Sequence, residues 1–485
     1  MLFNSFEYIA FFLVVYTLYW AFAHHARIAM SLLLGASLLF YACWNPYYLI
    51  LIVNSSLVDF ITGGLISRSD DPQRRKRLML TSVIYNLSIL GIFKYFNFFM
   101  QSFDDTVTHL EWWDYFMLGE LYLPGGRLSA LLPVGISFFT FQSMSYTIDI
   151  YRGHLKPVKS FSHYLLFVSF FPQLVAGPIV RARDLLPQLL ERPPVSREMS
   201  GRGLYLIVLG LFKKIAIADY LAINLVDRVF TTPEGYSSIE SLFGVYGYAL
   251  QIYCDFSGYS DIAIGSALLL GFKFPDNFRT PYQSKNLQEF WRRWHISLSS
   301  WLRDYLYISL GGNRNGPRRT YFNLLMTMVL GGLWHGAGWN FIIWGILHGG
   351  ALALHRLWHE KGAHVAWYQD IKDTHLWNLA SLIFTFHYVC FAWIFFRAPT
   401  FGEAGRVISQ IFVGGWGLVN INTHLALVLL GGFLLHSCSQ GFFQKTIERF
   451  TALTPLPQAF ALFISALMIR QLAVSEAVPF IYFQF

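Results

Sequence analysis

Charge is scarce in this sequence: Asp, Glu, Lys and Arg together make up 13% of its 485 residues, against 55% hydrophobic residues. That shortage excludes a set of ordinary soluble domains and directs the chain into lipid. Cysteine is scarcer still. The four present, Cys43, Cys254, Cys390 and Cys438, lie far apart inside apolar stretches, so neither a disulfide framework nor a zinc cluster is indicated and no metal site is expected. No fixed-period repeat or low-complexity segment occurs, which leaves solenoids unsupported. Also missing are a GxSxG nucleophile elbow, an HExxH pair, a Walker phosphate loop and a dinucleotide fingerprint in its required context. The opening MLFNSFEYIAFFLVVYTLYWAF lacks the basic start and small-residue cleavage site of a signal peptide, and is expected to remain as the first span.

What the chain has in abundance is apolar runs, among them Phe6–Phe22, Ile28–Tyr41, Tyr47–Leu65, Leu78–Met100 and Tyr205–Ala222. Judged by the length needed to cross hydrocarbon, about ten to twelve spans are expected. The formal net charge of +8 is dispersed over short loops, with no continuous basic face for nucleic acid, and reads as attraction to a membrane surface. The loop Ser67–Arg77 carries Arg68, Arg74, Arg75, Lys76 and Arg77, which by the positive-inside rule is cytoplasmic. The His24–Arg27 turn then shares that side, the N-terminus lies outside, and so does Gln101–Ala130, whose single basic residue is Arg127. Arg181–Arg202 and His355–His375 break the hydropathy pattern and read as surface loops or interfacial helices. The simplest organisation is one integral-membrane domain over residues 1–485, with a core to about residue 400 and C-terminal helices beyond it.

The most informative region, Tyr253–Gly312, is both aromatic and rich in ionisable residues. Charged side chains at membrane depth are costly and usually line a cavity, a pathway or a partner contact. Asp255 and Asp261 are therefore candidates, with hydrogen-bonded structural acids as the open alternative. Gly271, Pro275 and Pro281 interrupt the helical pattern, which predicts a broken or re-entrant segment with helix resuming near Leu287. A helix over Glu289–Tyr305 would set Trp291, Trp294, Leu298, Leu302 and Tyr305 on one stripe and Arg292, Ser299 and Arg303 on its flank. His295 falls on the boundary, facing a cavity with cations alongside to hold an anionic group; snorkelling arginines or a Glu289 salt bridge are the alternatives.

A second focus is Gly331–Trp339, GGLWHGAGW, where glycines flank His335 and permit close approach by a substrate or a neighbouring helix. Acyl transfer from a thioester to a hydroxyl needs a base to take the hydroxyl proton, and histidine suits that task. A packing histidine bonded to a carbonyl is the competing reading. His348 lies in a regular apolar helix and reads as structural.

These segments together resemble the membrane-bound O-acyltransferase family, in its bacterial alginate O-acetyltransferase-like branch, and are similar also to teichoic-acid D-alanyl transfer proteins. The resemblance rests on MLFNSFEYIAFF, LPVGISFFTFQSMSYTIDIYRG (Leu132–Gly153), FFPQLVAGPIVR (Phe170–Arg181), QIYCDFSGYSDIAIG (Gln251–Gly265), EFWRRWHISLSSWLRDYLYISLGG (Glu289–Gly312) and GGLWHGAGWNFIIWGILHG. It departs from the family at Ser309, where proline is common, and follows no familiar pattern after Phe401.

The resemblance implies an all-α polytopic protein: a ring of transmembrane helices with shorter tilted or re-entrant ones, thinned so that cytoplasmic and outer cavities meet near the histidine. It implies His335 as the principal catalytic residue and His295 as its companion, with Trp334 as a cavity wall and Arg303 and Asp304 as cavity-lining or structural charges. The expected donor is acetyl-CoA or another acyl thioester, with no bound cofactor, in a bacterial inner membrane. The expected acceptor is an extracytoplasmic polysaccharide, modified directly or through a secreted partner acyltransferase. A glycan transporter with a histidine proton relay and a non-catalytic scaffold of an exopolysaccharide complex are the alternatives.

Overall fold

The computed structural model describes residues 1–107, 133–175, 177–192, 194–473 and 478–483. Most of the stretch read as an outer segment, residues 108–130, lies outside the described residues. Helix follows helix, and no β-strand occurs among the described residues. The first group is α1 (Phe6–Ala21), α2 (Ala26–Ala42), α3 (Leu49–Ser67), α4 (Pro72–Leu90) and α5 (Phe96–Val107), with a π-helical turn over Gly91–Tyr95 joining the last two. The middle group is α6 (Ile136–Tyr151), α7 (Phe161–Ser169), α8 (Phe171–Leu174), α9 (Ala182–Glu191), α10 (Arg197–Leu211), α11 (Asp227–Thr231) and α12 (Ser238–Leu269). Then come α13 (Leu287–Arg293), α14 (Ile296–Trp301), α15 (Gly316–His335), α16 (Trp339–Lys361), α17 (Ala366–Ile371) and α18 (His375–Arg397). The last group is α19 (Phe401–Val413), α20 (Thr423–Ser437), α21 (Gln440–Ala452) and α22 (Pro455–Leu472).

Two helices form the centre because, a few polar residues apart, they are apolar or small on every side, the signature of a fully enclosed helix. In α6 every residue from Ile136 to Thr147 is buried, and in α12 every residue from Gly247 to Ser260. Glycines let α10 meet α12 backbone to backbone. A Cβ on Gly210 would lie 2.5 Å from the Gly258 carbonyl oxygen, and one on Gly265 would lie 2.5 Å from that of Gly203. Small residues at a helix contact are the membrane solution to close packing, since lipid supplies no hydrophobic drive between helices.

Beyond this contact α10 gives way to π-helical turns over Phe212–Asp219, which carry two buried lysines. Lys213 Nζ pairs with Asp261 Oδ2 at 2.7 Å, and Lys214 Nζ lies 2.6 Å from both Asp219 Oδ1 and Asp255 Oδ1. Each buried lysine thus meets at least one carboxylate, with Asp219 and Asp255 sharing Lys214, and such pairing is the condition for tolerating a charge in the interior.

Four helical runs are long and apolar enough to cross a membrane, Pro46–Ser67, Pro72–Phe103, His375–Arg397 and Pro455–Leu472. The pair α20 and α21, bent by 90°, makes up to five if counted as one broken span. This count, among the described residues, is lower than the ten to twelve expected from apolar runs, for a physical reason. Ile28–Tyr41 belongs to a 17-residue helix, and Tyr205–Ala222 is a helix that loosens where Lys213 and Lys214 enter. Short, enclosed or interrupted helices need not satisfy the length rule of a lipid-exposed span. The chain is an all-α polytopic membrane protein.

A series of contacts defines one basic face. Arg75 donates to the Tyr151 carbonyl at 3.1 Å, and Arg152 donates to the carbonyl of Asp304 and to Ser309 Oγ, both at 3.0 Å. Asp304 pairs with Arg181 at 2.7 Å, and α9 leads from there to Arg192, which donates to the Ala23 carbonyl at 2.6 Å. The Trp20 indole donates to the Leu269 carbonyl, so α12 ends on this face and begins on the opposite one. Arg181–Arg202 comprises α9, which buries Ala182, Leu185, Leu186 and Leu189, and the start of α10, while His355–His375 holds the last turns of α16 followed by α17.

Removing one member of the buried charge network strands the others. Lys214→Met is expected to destabilise the fold by about 3–5 kcal/mol, read as a lowered thermal unfolding temperature in detergent. An unchanged temperature would mean that the network contributes no net stability.

Candidate active site

After Leu269 the chain leaves helix, makes a short turn at Pro281–Gln283, and resumes helix at Leu287, as Gly271, Pro275 and Pro281 predict. The Asn286 side chain starts α13 by accepting from the Glu289 N–H at 2.8 Å. The continuous helix expected over Glu289–Tyr305 does not form. Trp294 is extended (φ −100°, ψ 129°) and His295 is left-handed (φ 41°, ψ 56°), which separates α13 from α14. A positive φ at a non-glycine residue is uncommon and persists only where surrounding contacts enforce it.

Those contacts come from the non-helical strand of chain before α13. The Ile296 N–H donates to the Asn277 carbonyl at 2.9 Å, and the Ser297 N–H and hydroxyl both donate to Asn277 Oδ1, at 3.2 and 2.9 Å. Asn277 Nδ2 is anchored on Ser260 of α12 at 3.1 Å. The break consequently leaves few backbone groups unmet and turns His295 inward. Its ring lies 4.5 Å from Phe256 and 6.2 Å from Trp334, centroid to centroid. The cations expected beside it are elsewhere: Arg292 is exposed, Arg293 pairs with Glu289 at 2.6 Å, and Arg303 turns outward onto Asp304 at 2.6 Å.

His335 is the last residue of α15 and is 3% exposed. Four rings enclose it, those of Trp334 and Trp344 at 5.1 Å, Phe396 at 5.2 Å and Tyr482 at 5.5 Å. Its Nδ1 has no hydrogen-bond partner among the described residues, and neither ring nitrogen of His295 or His348 has one. His348 stands behind Trp344 at 4.7 Å and beside Trp291 at 5.2 Å. The flanking glycines serve a neighbouring helix: a Cβ on Gly332 or Gly336 would collide with Phe341 in the first turn of α16.

The carbonyl end of α15 is closed by the π-helical turn after α4. Lys94 Nζ donates to the carbonyls of Trp334 and His335 at 2.7 and 2.9 Å, and the Tyr95 hydroxyl donates to that of Leu333 at 2.8 Å. A cation at a helix C-terminus meets both the unpaired carbonyls and the negative end of the dipole. Lys94 escaped the sequence reading although a signal existed, because it is the one charged residue in Leu78–Met100. Tyr482 escaped it with no signal at all. It arrives from the C-terminal segment, held where the Ile481 N–H donates to Asp255 Oδ2 at 2.7 Å.

The expected site residues therefore fall into three groups. His335, His295 and Trp334 share one aromatic chamber. Asp255 and Asp261 belong to the lysine network of α12, with Asp255 also tethering the C-terminal segment. Asp304 lines a separate cavity of about 570 Å³ on the basic face, together with Asp149, Arg152, His154, Arg183 and Arg314, whereas Arg303 does not line it. A column of rings joins cavity to chamber: Tyr305 to Trp301 at 5.1 Å, Trp301 stacked on Phe141 at 3.8 Å, and Phe141 to Trp334 at 5.3 Å. No group of three or more His, Cys, Asp or Glu among the described residues is arranged to hold a metal ion.

Loss of the Lys94 ammonium leaves buried carbonyls unmet. Lys94→Met is expected to cost about 1.5–3 kcal/mol, the worth of hydrogen bonds to a charged group, and thermal unfolding in detergent measures it. No loss would mean that water or another donor replaces the ammonium.

Comparison with known proteins bears on what such a chamber does. The profile of "MBOAT, membrane-bound O-acyltransferase family" matches residues 126–397, which include His295, Trp334 and His335. A protein of Azotobacter vinelandii named "Probable alginate O-acetylase AlgI" is 40% identical over 82% of this chain and 75% of its own length. One of the same name from Pseudomonas putida is 36% identical over 94% of each chain. A "Peptidoglycan O-acetyltransferase" of Helicobacter pylori is 39% identical over 87% of this chain and 80% of its own. The chain belongs to the membrane-bound O-acyltransferase family and is an O-acyltransferase of the membrane.

Proposed function

We propose that the protein takes an acetyl group from cytoplasmic acetyl-CoA and delivers it outward for O-acetylation of an extracytoplasmic polysaccharide, as the names of its relatives suggest. The observation that carries this reading is His335, an imidazole with an unpartnered Nδ1 in a closed aromatic chamber, linked by a ring column to an arginine-lined cavity on the basic face. The positive-inside rule supports a cytoplasmic basic face in a bacterial inner membrane. The contact of Arg192 with the α1–α2 turn supports an N-terminal end of α1 on the outer side under the same rule.

Arg152, Arg183 and Arg314 suit the phosphates of coenzyme A, because guanidinium groups hold phosphate oxygens in paired hydrogen bonds. No metal or resident cofactor is required, since the thioester is itself the activated donor. A ring nitrogen of His335 takes the acceptor's hydroxyl proton as its oxygen attacks the thioester carbonyl, and returns it to the departing thiolate. His295 orients donor or acceptor from the other side of Trp334. Exclusion of water by the aromatic wall protects the acyl group from hydrolysis. The acceptor hydroxyl belongs to the polymer or to a secreted partner acyltransferase that passes the group on.

Membranes carrying His335→Ala, with expression and folding matched to wild type, are expected to transfer radiolabelled acetyl from acetyl-CoA to polymer roughly 10²–10⁴-fold more slowly, the range for a general base. Undiminished transfer would remove His335 from the mechanism. Arg183→Ala and Arg314→Ala are expected to raise KM for acetyl-CoA with kcat nearly unchanged, since they lie far from the reacting atoms. An unchanged KM would exclude this cavity as the donor site.

A further inference from the structure

A second cavity, of about 750 Å³, lies between α13, α16 and α18, on the far side of Trp291 and His348 from the catalytic chamber. Its walls are apolar, formed by Leu287, Leu354, Leu357, Trp358 and Phe384. Leu354 and Phe384 are 67% and 70% exposed, so the cavity opens sideways, towards lipid. His355 and Lys361 join the lining from the last turns of α16 and Lys285 from the chain just before α13, and no carboxylate does. Neither ammonium group has an ion-pair or hydrogen-bond partner among the described residues. The neighbouring acids are committed elsewhere: Glu289 to Arg293 and to the Lys285 backbone, Glu360 to Tyr321 and Arg356. Arg356 also donates to Asn313 Oδ1 at 3.1 Å, close in sequence to the Arg314 of the basic-face cavity, so the cationic end lies towards the basic face.

We propose that this groove binds an anionic phospholipid of the leaflet on the basic face. Lys285 and Lys361 hold the phosphate-bearing headgroup, and an acyl chain lies along Leu354, Leu357 and Phe384. Cations at one end of an apolar trough match a molecule that is anionic at one end and apolar along the rest, and basic pockets between membrane helices recognise such headgroups. Acyl-chain contact distinguishes it from a site for soluble phosphate, which would have no use for the apolar wall. The lipid bears on catalysis through position: it braces α16 against α18, the helices that supply Trp344 and Phe396 to the wall around His335. The Tyr388 hydroxyl already joins them by donating to the Leu347 carbonyl at 2.8 Å.

Native mass spectrometry of the full-length protein in detergent, titrated with phosphatidylglycerol, phosphatidylcholine or sn-glycerol 3-phosphate, tests the proposal. Phosphatidylglycerol is expected to be retained over phosphatidylcholine, and a double Lys285→Ala, Lys361→Ala variant to lose roughly thirtyfold in phosphatidylglycerol affinity, given the worth of one lysine near a charged lipid headgroup. Leu354→Asp is expected to weaken the same lipid with both lysines intact. Equal retention of the two lipids, or full retention by the lysine variant, would overturn the proposal. Binding of sn-glycerol 3-phosphate as tight as that of the lipid would overturn it in favour of a soluble-phosphate site.

Discussion

Within hydrocarbon, a backbone N–H or carbonyl released from a helix has to find another partner inside the protein, and the chamber around His335 depends on how that requirement is met. The chain breaks helix at His295 and ends helix at His335, the two positions where the relevant imidazoles turn inward. At the first, Asn277 accepts from two N–H groups and one hydroxyl; at the second, Lys94 and Tyr95 meet three carbonyls. Without those partners both breaks would carry unsatisfied polar groups, each costing on the order of 1–3 kcal/mol. The polar residues near the histidines thus act mainly on the backbone, which leaves the imidazoles themselves surrounded by rings.

The same economy of polarity governs the second half of the core. Lys213 and Lys214 sit on π-helical turns, a geometry that often marks functional segments of membrane and soluble helices alike. Their carboxylate partners all lie within the protein, and one of them, Asp255, spends its second oxygen on the Ile481 N–H. The charge pair between Lys214 and Asp255 of α12 is thereby coupled to the C-terminal segment whose Tyr482 completes the wall around His335. The glycine contacts between α10 and α12 bring the lysine-bearing turns close enough for this pairing.

Membrane residence and the all-α class were legible from the shortage of charge and the apolar runs, and the break before Leu287 was legible from Gly271, Pro275 and Pro281. The grouping of His335 with Trp334 was legible from adjacency and from family resemblance. The break at His295 was not, because FWRRWHISLSSW contains neither glycine nor proline and its helical stripe is good. There, tertiary partners 19 and 20 residues apart override local preference, as the bonds of Asn277 to Ile296 and Ser297 illustrate. Lys94 was legible in principle as a lone intramembrane cation, whereas Tyr482 depends on long-range threading that no local pattern records. Apolar runs in the sequence outnumber the four or five helices among the described residues that meet a length criterion, because helices enclosed by other helices are free of that constraint.

In the proposed reaction, the aromatic column from Tyr305 to Trp334 bears on how acyl transfer couples the two sides of a membrane without opening a pore. The Trp301–Phe141 pair is buried and closely stacked at 3.8 Å, with the Trp301 indole N–H bonded to the Phe141 carbonyl at 2.9 Å. An ordinary aqueous channel through this point would leak protons and hydrolyse a thioester. A slender acyl-bearing arm that threads between such rings displaces apolar contact with apolar contact, so its passage requires little desolvation beyond its own polar amides. The basic-face cavity, the ring column and the His335 chamber are therefore parts of one requirement in the proposed reaction: the charged end of the donor stays in water while only its reactive tip enters the protein interior.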